Sequence, residues 1–184
     1  MKKIPLITSL LWLILFGPQS AFAAPCADGE DLIALPNPGT WTATASSVHD
    51  VHVPGRAIDN LLTTGWHAAP VAFPHTLTVD MGAARDIGGI QVFPTNLSGY
   101  QVNGYDIQTS PDCTIYTSQT TGNLPIPTKG NYEAFFIGFP AEVSARCYRF
   151  VAVTGYGSLA YVPEVNPMVC AASDPAPTTP VFAP

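Results

Sequence analysis

Apolar residues in this chain recur at every second position rather than every third or fourth. Leu77-Thr78-Val79-Asp80-Met81, Gly89-Ile90-Gln91-Val92-Phe93, Tyr105-Asp106-Ile107-Gln108-Thr109 and Tyr148-Arg149-Phe150-Val151-Ala152-Val153 alternate or run apolar, and Glu133 to Phe139 (EAFFIGF) is a further candidate. Successive side chains on a strand point to opposite faces, so this period predicts β-strands with at least one face buried. Gly, Pro, Asn and Asp clusters separate the runs, and 19 Pro with 15 Gly argue against a helical bundle, because both residues interrupt helices. No segment carries a helical stripe with capping residues at its ends. Short strands between such turns predict a β-sandwich or barrel. A chain of 184 residues accommodates one such domain, and 47% hydrophobic with 11% charged residues is the opposite of a disordered composition. No internal repeat suggests a solenoid or propeller.

The two ends differ from this pattern. MKKIPLITSLLWLILFGPQSAFAA has Lys2 and Lys3, an apolar stretch from Ile4 to Phe16, a Gly17-Pro18 break and Ala21-Phe22-Ala23. That is the pattern of a secretory signal peptide over residues 1–23, and the apolar stretch falls short of the ~20 residues a bilayer core requires. The expected location is therefore secreted or periplasmic, with no transmembrane segment. Beyond Cys170, residues 171–184 (AASDPAPTTPVFAP) are rich in Pro, Ala and Thr and predict an extended tail, leaving residues 24–170 for the folded domain. Past the leader only Arg56, Arg85, Lys129, Arg146 and Arg149 face 13 acidic residues. Phosphate recognition draws on clustered Lys and Arg, so nucleic acid and anionic membrane surfaces are poor candidate partners.

Export places Cys26, Cys113, Cys147 and Cys170 in an oxidising compartment, where an even number predicts disulfides; no CxxC spacing suggests metal instead. Four cysteines allow three pairings, which sequence alone does not settle. Cys26 and Cys170 lie at the two edges of the periodic region, so joining them would clamp the domain's ends and leave Cys113 for Cys147.

The most informative stretch runs from Trp41 to Met81: Ser46-Ser47, a loop, Ala57-Ile58-Asp59-Asn60, then Thr64-Gly65-Trp66-His67 and a strand ending Asp80-Met81-Gly82. Ile87-Gly88-Gly89-Ile90, Tyr105 to Asp112, Ala145-Arg146-Cys147-Tyr148-Arg149 and Pro163-Glu164-Val165 follow in order. Together these resemble the discoidin domain, also called the coagulation factor V/VIII type C domain, and the galactose-binding-like modules of carbohydrate-binding module family 32. The resemblance spans roughly Ala34 to Cys170. It implies an all-β jelly-roll β-sandwich in which loops at one end hold a ligand.

The Asp59 to Thr64 loop supplies a carboxylate, an Asn and two Thr hydroxyls within a few residues, oxygens of the kind Ca²⁺ takes. In the family this loop often wraps a structural calcium closed by a Glu, which implies Asp59, Thr64 and Glu164 as ligands here. Asn60 replaces the family's Gly and tolerates a left-handed backbone. Leu61 and Leu62 stand where acids or Asn are frequent, leaving backbone carbonyls to complete a shell. The alternative is a turn in which Asp59 caps local amides.

Trp66 is expected in the core, where large aromatics dominate buried area. In galactose-binding relatives the next residue is often a His bonded to the sugar, helped by an acid from the preceding loop and an Arg after the following strand. The resemblance implies His67 and Asp50 for the first two roles; Thr95 stands where the Arg would be. A sugar site also needs an aromatic face and amides, for which Tyr100, Tyr156, Asn96 and Asn103 are candidates, although Asn96 and Asn103 also suit ordinary turns. Asn96-Leu97-Ser98 is in addition a glycosylation sequon. His49 and His52, in VHDVH with Asp50 between them, either form a transition-metal site or stand together incidentally in an exposed loop.

Nothing in the sequence selects a catalytic group. Gly157-Ser158 lacks a nucleophile elbow's flanking glycines, and there is no Gly-rich phosphate loop. The expected function is a non-catalytic module binding a glycan through Asp50, His67, Asn96 and Tyr100. The alternative is an adhesion module recognising a protein partner or lipid headgroup with Val51, Val53, Val71 and Phe73 at its loop tips.

Overall fold

The computed structural model describes residues 25–127 and 133–172. The signal-peptide reading and, from residue 173 onward, the tail reading lie outside the described residues. Those residues form nine strands: β1 (Glu30–Ala34), β2 (Thr42–Ala45), β3 (Trp66–His67), β4 (His75–Phe93), β5 (Gly104–Ser110), β6 (Thr117–Asn123), β7 (Phe135–Ala152), β8 (Tyr161–Val162) and β9 (Glu164–Ala172). Their helical content is one 3₁₀ turn, Pro54–Ala57. β9 carries regular structure to Ala172, two residues past the expected domain edge at Cys170.

All pairing is antiparallel, in the order β1-β9-β4-β7-β5-β6 with β2 on β4, while β3 and β8 form a separate two-stranded ribbon. Two long strands make this ladder a sandwich. The first half of β4 pairs with β2 and the second half of β7 (Leu77 opposite Ala45 and Phe150); the second half of β4 pairs with β9 and the first half of β7 (Ile90 opposite Pro167 and Ile137). Between these halves the register shifts from Asp80 to Arg85 and again from Ile87 to Gly89. Such irregularities bend a strand and let it pass from one layer to the other. The β4–β7 ribbon thus folds over on itself, and the loops that follow β2, β4 and β7 meet at one end.

The sequence periodicity predicted four separate strands where β4 and β7 are each continuous. The apparent breaks, Gly82 (φ 77°) in β4 and Pro140 in β7, are where the ribbon turns its corner. Arg146 pins this corner with two hydrogen bonds to Asp80, Nε to Oδ1 at 2.9 Å and an Nη to Oδ2 at 2.7 Å. β6, Thr117–Asn123, has no apolar residue and so carries no sequence signal. It is held by its ladder to β5 and by side chains, Ser118 Oγ donating to Asp106 Oδ1 and Gln119 Nε2 to Thr109 Oγ1.

Trp66, Tyr148, Phe150, Leu77, Ile87, Ile90, Ile107 and Val92 are fully buried between the layers. Each such aliphatic or aromatic side chain contributes ~1.5–3 kcal/mol relative to exposure. Disulfides Cys26–Cys170 and Cys113–Cys147 close the structure, the first tying the segment before β1 to β9 and the second tying the β5–β6 connection to β7. Arg149 is held by a hydroxyl and an aromatic ring. Its Nε donates to Thr78 Oγ1 at 3.0 Å and its guanidinium stacks on the Tyr116 ring at 3.6 Å.

Candidate functional site

At the loop end, the segment after β2 is fastened to the core before it reaches its functional residues. The Trp66 indole Nε1 donates to the Ser47 carbonyl at 2.9 Å, and Ser47 Oγ accepts from the Ala69 amide at 3.1 Å. Trp66 is therefore core, as expected, but also an anchor for the loop. His49 and His52 are then held by a closed set of main-chain bonds with His67: His49 N to His67 O (2.8 Å), His67 N to His52 O (3.2 Å) and His52 N to His49 O (3.2 Å). Asp50 makes the intervening turn possible by adopting φ 54°, a conformation that Asp tolerates better than most residues.

The opposite wall comes from loops distant in sequence. β3 pairs with β8, placing His67 opposite Tyr161, and Tyr161 N donates to the Tyr100 carbonyl at 3.0 Å. Gly65 permits this approach, since a Cβ there would lie 2.8 Å from both Tyr161 Cζ and the Val162 carbonyl oxygen. The result is a concavity of about 280 Å³ lined by His49, Asp50, His52, His67, Leu97, Tyr100 and Tyr161.

His67 is the hub of the concavity. Its ring centroid lies 4.6 Å from that of His49, 4.9 Å from Tyr100, 5.6 Å from His52 and 6.0 Å from Tyr161. It is only 5% exposed, and its Nε2 has no hydrogen-bond partner. Burial, and secondarily the charges of His49 and His52, lower its pKa to about 4. The imidazole is therefore neutral at physiological pH, with one nitrogen donating and the other accepting. Beside two tyrosine rings, that is the donor, acceptor and aromatic surface a sugar hydroxyl and C–H face require.

The structure thus brings Asp50, His67 and Tyr100 together. Asn96 is adjacent on the same loop but outside the lining; its carbonyl accepts from Gln101 Nε2 at 3.3 Å. Asn103 and Tyr156 do not line the concavity either: Asn103 exchanges main-chain bonds with the Thr154 and Leu124 backbone, and Tyr156 is exposed. Tyr161 and Leu97 do line it and carried no signal, since Tyr161 reaches His67 only through a pairing between strands more than ninety residues apart. Phe73, expected at a loop tip, is half-buried with its ring 4.6 Å from that of the buried His75.

The Asp59 loop leads directly into β3. Asp59 Oδ1 accepts from Leu61 N at 3.0 Å and Oδ2 from Thr64 Oγ1 at 2.7 Å, and Asn60 takes φ 62°. This is the capped turn that the residues alone allowed. Glu164 faces it with 2% exposure; Oε1 accepts from Asn60 N at 3.4 Å while Oε2 has no partner. Burial foremost, and the Asp59 carboxylate, raise the Glu164 pKa to about 7. Two acids facing each other with a buried oxygen unsatisfied suit a hard cation. Among the described residues, the group of three donors within 4.8 Å of one another is Asp80, Cys113 and Cys147, whose sulfurs are already bonded to each other.

An antiparallel jelly-roll sandwich with a polar-aromatic cleft among its end loops is the architecture of a ligand-binding module. The chain matches the F5/8 type C domain family over residues 42–165 and belongs to that family. No curated protein sequence matches it. Among solved structures it is similar to the family 32 carbohydrate-binding module of Clostridium perfringens NanJ in complex with galactose: TM-score 0.66, 24% identity, covering 76% of this chain and 100% of that one. It is also similar to CpGH89CBM32-5 of Clostridium perfringens in complex with GalNAc-β-1,3-galactose, with TM-score 0.65, 25% identity, and coverage of 73% and 99%. A third is CBM32-3 from a family 31 glycoside hydrolase of Clostridium perfringens, with TM-score 0.64, 27% identity, and coverage of 73% and 93%.

Proposed function

We propose that this chain is an exported, non-catalytic binding module that takes a galactose-type sugar or a related cell-surface glycan in the concavity between His67 and Tyr100. The observation that carries the reading is the His67–Tyr100 pair, a buried neutral imidazole with a free nitrogen beside an aromatic ring at 4.9 Å. His67 would bond hydroxyls, Asp50 would accept from a second hydroxyl, and Tyr100 or Tyr161 would pack on the C–H face. Family membership supports this, as does likeness to modules seen with galactose and GalNAc-β-1,3-galactose. Thr95 in place of an Arg removes a cationic sugar contact, so the preferred glycan need not be plain galactose. Affinity for a monosaccharide should be weak, because few heavy atoms are desolvated. The two disulfides and the leader-like N-terminus support export.

A structural Ca²⁺ would sit between Asp59 and Glu164, with Asn60 and Leu61 backbone around it, and would hold the loop that leads into β3. The test of function is a glycan array probed with the full chain, its Tyr100→Ala variant and its His67→Ala variant, each verified as folded by circular dichroism. Signal on galactose-containing glycans that both substitutions abolish is the expected result; undiminished signal from both removes the cleft from the site.

A second reading is favoured by a different observation. Val51, Val53, Val71 and Leu97 are each about half exposed on loops, and Leu97 lines the cleft itself. Exposed apolar loop tips suit docking to a protein or a lipid headgroup. Sedimentation with liposomes in the absence of glycan binding would favour it.

A further inference from the structure

Three of the four histidines in the chain line one concavity, and they are fixed there by the closed ring of main-chain hydrogen bonds that joins His49, His52 and His67. We propose that these three imidazoles bind a divalent transition-metal ion of the imidazole-preferring class, Zn²⁺, Ni²⁺ or Cu²⁺, at the floor of the cleft, with Asp50 as a further oxygen donor. This inference stands on histidine geometry and is independent of the glycan reading.

Two of the donors have no partner within the protein. His67 Nε2 and His52 Nδ1 are buried polar atoms without a hydrogen-bond partner, a costly state that a metal ion would relieve. The spacing also fits. With Zn–N of ~2.0–2.1 Å and tetrahedral angles, two imidazoles on one ion have ring centroids about 5 Å apart. The His67 centroid lies 4.6 Å from His49 and 5.6 Å from His52, on either side of that value.

The donor atoms are not yet gathered, since the histidine trio is not among the groups whose donors all lie within 4.8 Å. Gathering them requires side-chain rotation of His49, which is exposed, and His52, which is half-buried, with no movement of their bonded backbone. His67 is buried and neutral, so it needs no deprotonation to bind. The other groups facing the ion are Asp50, whose charge favours it, and the Tyr100 and Tyr161 rings, which wall it from solvent. A bound ion would leave a coordination position toward the open cleft, where a sugar hydroxyl or a ligand carboxylate would enter.

The test is calorimetric titration of the full chain, purified without a histidine tag, with ZnCl₂ alone. Saturable 1:1 binding at about pH 7.5 that weakens in acid is expected, because only an unprotonated imidazole nitrogen ligates a metal. The double variant His49→Asn/His52→Asn, exposed and half-buried and so compatible with folding, should bind at least about 100-fold more weakly. Absence of saturable heat up to about 1 mM zinc, or undiminished binding by the double variant, overturns the proposal. Glycan titration of the same samples separates the two readings: sugar binding without zinc binding sinks only this inference, and zinc binding without sugar binding sinks only the glycan assignment.

Discussion

The ring centroids of His67 and Tyr100 lie 4.9 Å apart at an interplanar angle of 51°, so a buried imidazole from β3 and a phenol ring from the loop after β4 form one continuous wall. Tyr100 is partly exposed and carries no core packing, so Tyr100→Ala should leave the fold intact. Loss of its face should weaken glycan binding about tenfold, in keeping with ~1.4 kcal/mol for an aromatic contact. Isothermal titration of the variant beside the unaltered chain checks this; equal affinities would place the sugar elsewhere.

His67 and Glu164 make opposite contributions to stability as pH changes. The His67 pKa is depressed to about 4 in the folded protein from 6.5, so the unfolded chain binds more protons between these values and stability rises with pH across that window. The Glu164 pKa is raised to about 7 from 4.5, so the folded chain holds the extra proton there and stability falls as pH rises from 4.5 to about 7. The two slopes largely cancel in the unaltered chain, so thermal unfolding from pH 4 to pH 8 should show stability rising with pH in Glu164→Gln, where only His67 acts, and falling with pH in His67→Gln, where only Glu164 acts. Unchanged profiles in both variants would contradict the assignment.

Calcium should stabilise the chain more at pH 8 than at pH 6, because a cation between Asp59 and Glu164 requires both carboxylates ionised. The effect should vanish in Asp59→Asn and in Glu164→Gln. At 100 times the dissociation constant the expected gain is about 2.7 kcal/mol, readable as a shift in unfolding temperature. No shift with saturating calcium at either pH would leave the loop as a purely hydrogen-bonded turn.

Removing Cys26 and Cys170 together should destabilise the chain more than removing Cys113 and Cys147, because the bridges span 144 and 34 residues. The loop-entropy relation gives about 5 and about 3–4 kcal/mol respectively. Urea unfolding of the two double-alanine variants measures the order. A larger loss from the shorter bridge would mean that native packing, not chain entropy, sets its value.

Phe150 and Leu77, adjacent across β4 and β7, show what the sequence made legible: Leu77 alternates with Thr76 and Thr78, Phe150 stands in a largely apolar run, and each is fully buried. The same periodicity missed β6, whose residues are all polar or glycine and whose pairing rests on long-range ladders. In the site, His67, Asp50 and Tyr100 were visible as residue types within a recognisable order, whereas Asn96 was selected for its amide and lies beside the cleft. Tyr161 and Leu97 were invisible, because no local pattern records which loop will face which.

By itself the sequence determined an all-β sandwich, the burial of Trp66 and the cluster of polar groups around His67, since side-chain alternation and local turn chemistry act over a few residues. Tertiary structure alone decided that β4 and β7 fold over as one ribbon, that Tyr161 closes the cleft, and that the three histidines share backbone bonds. Those outcomes depend on register between segments tens of residues apart, and register is fixed by packing across the finished core.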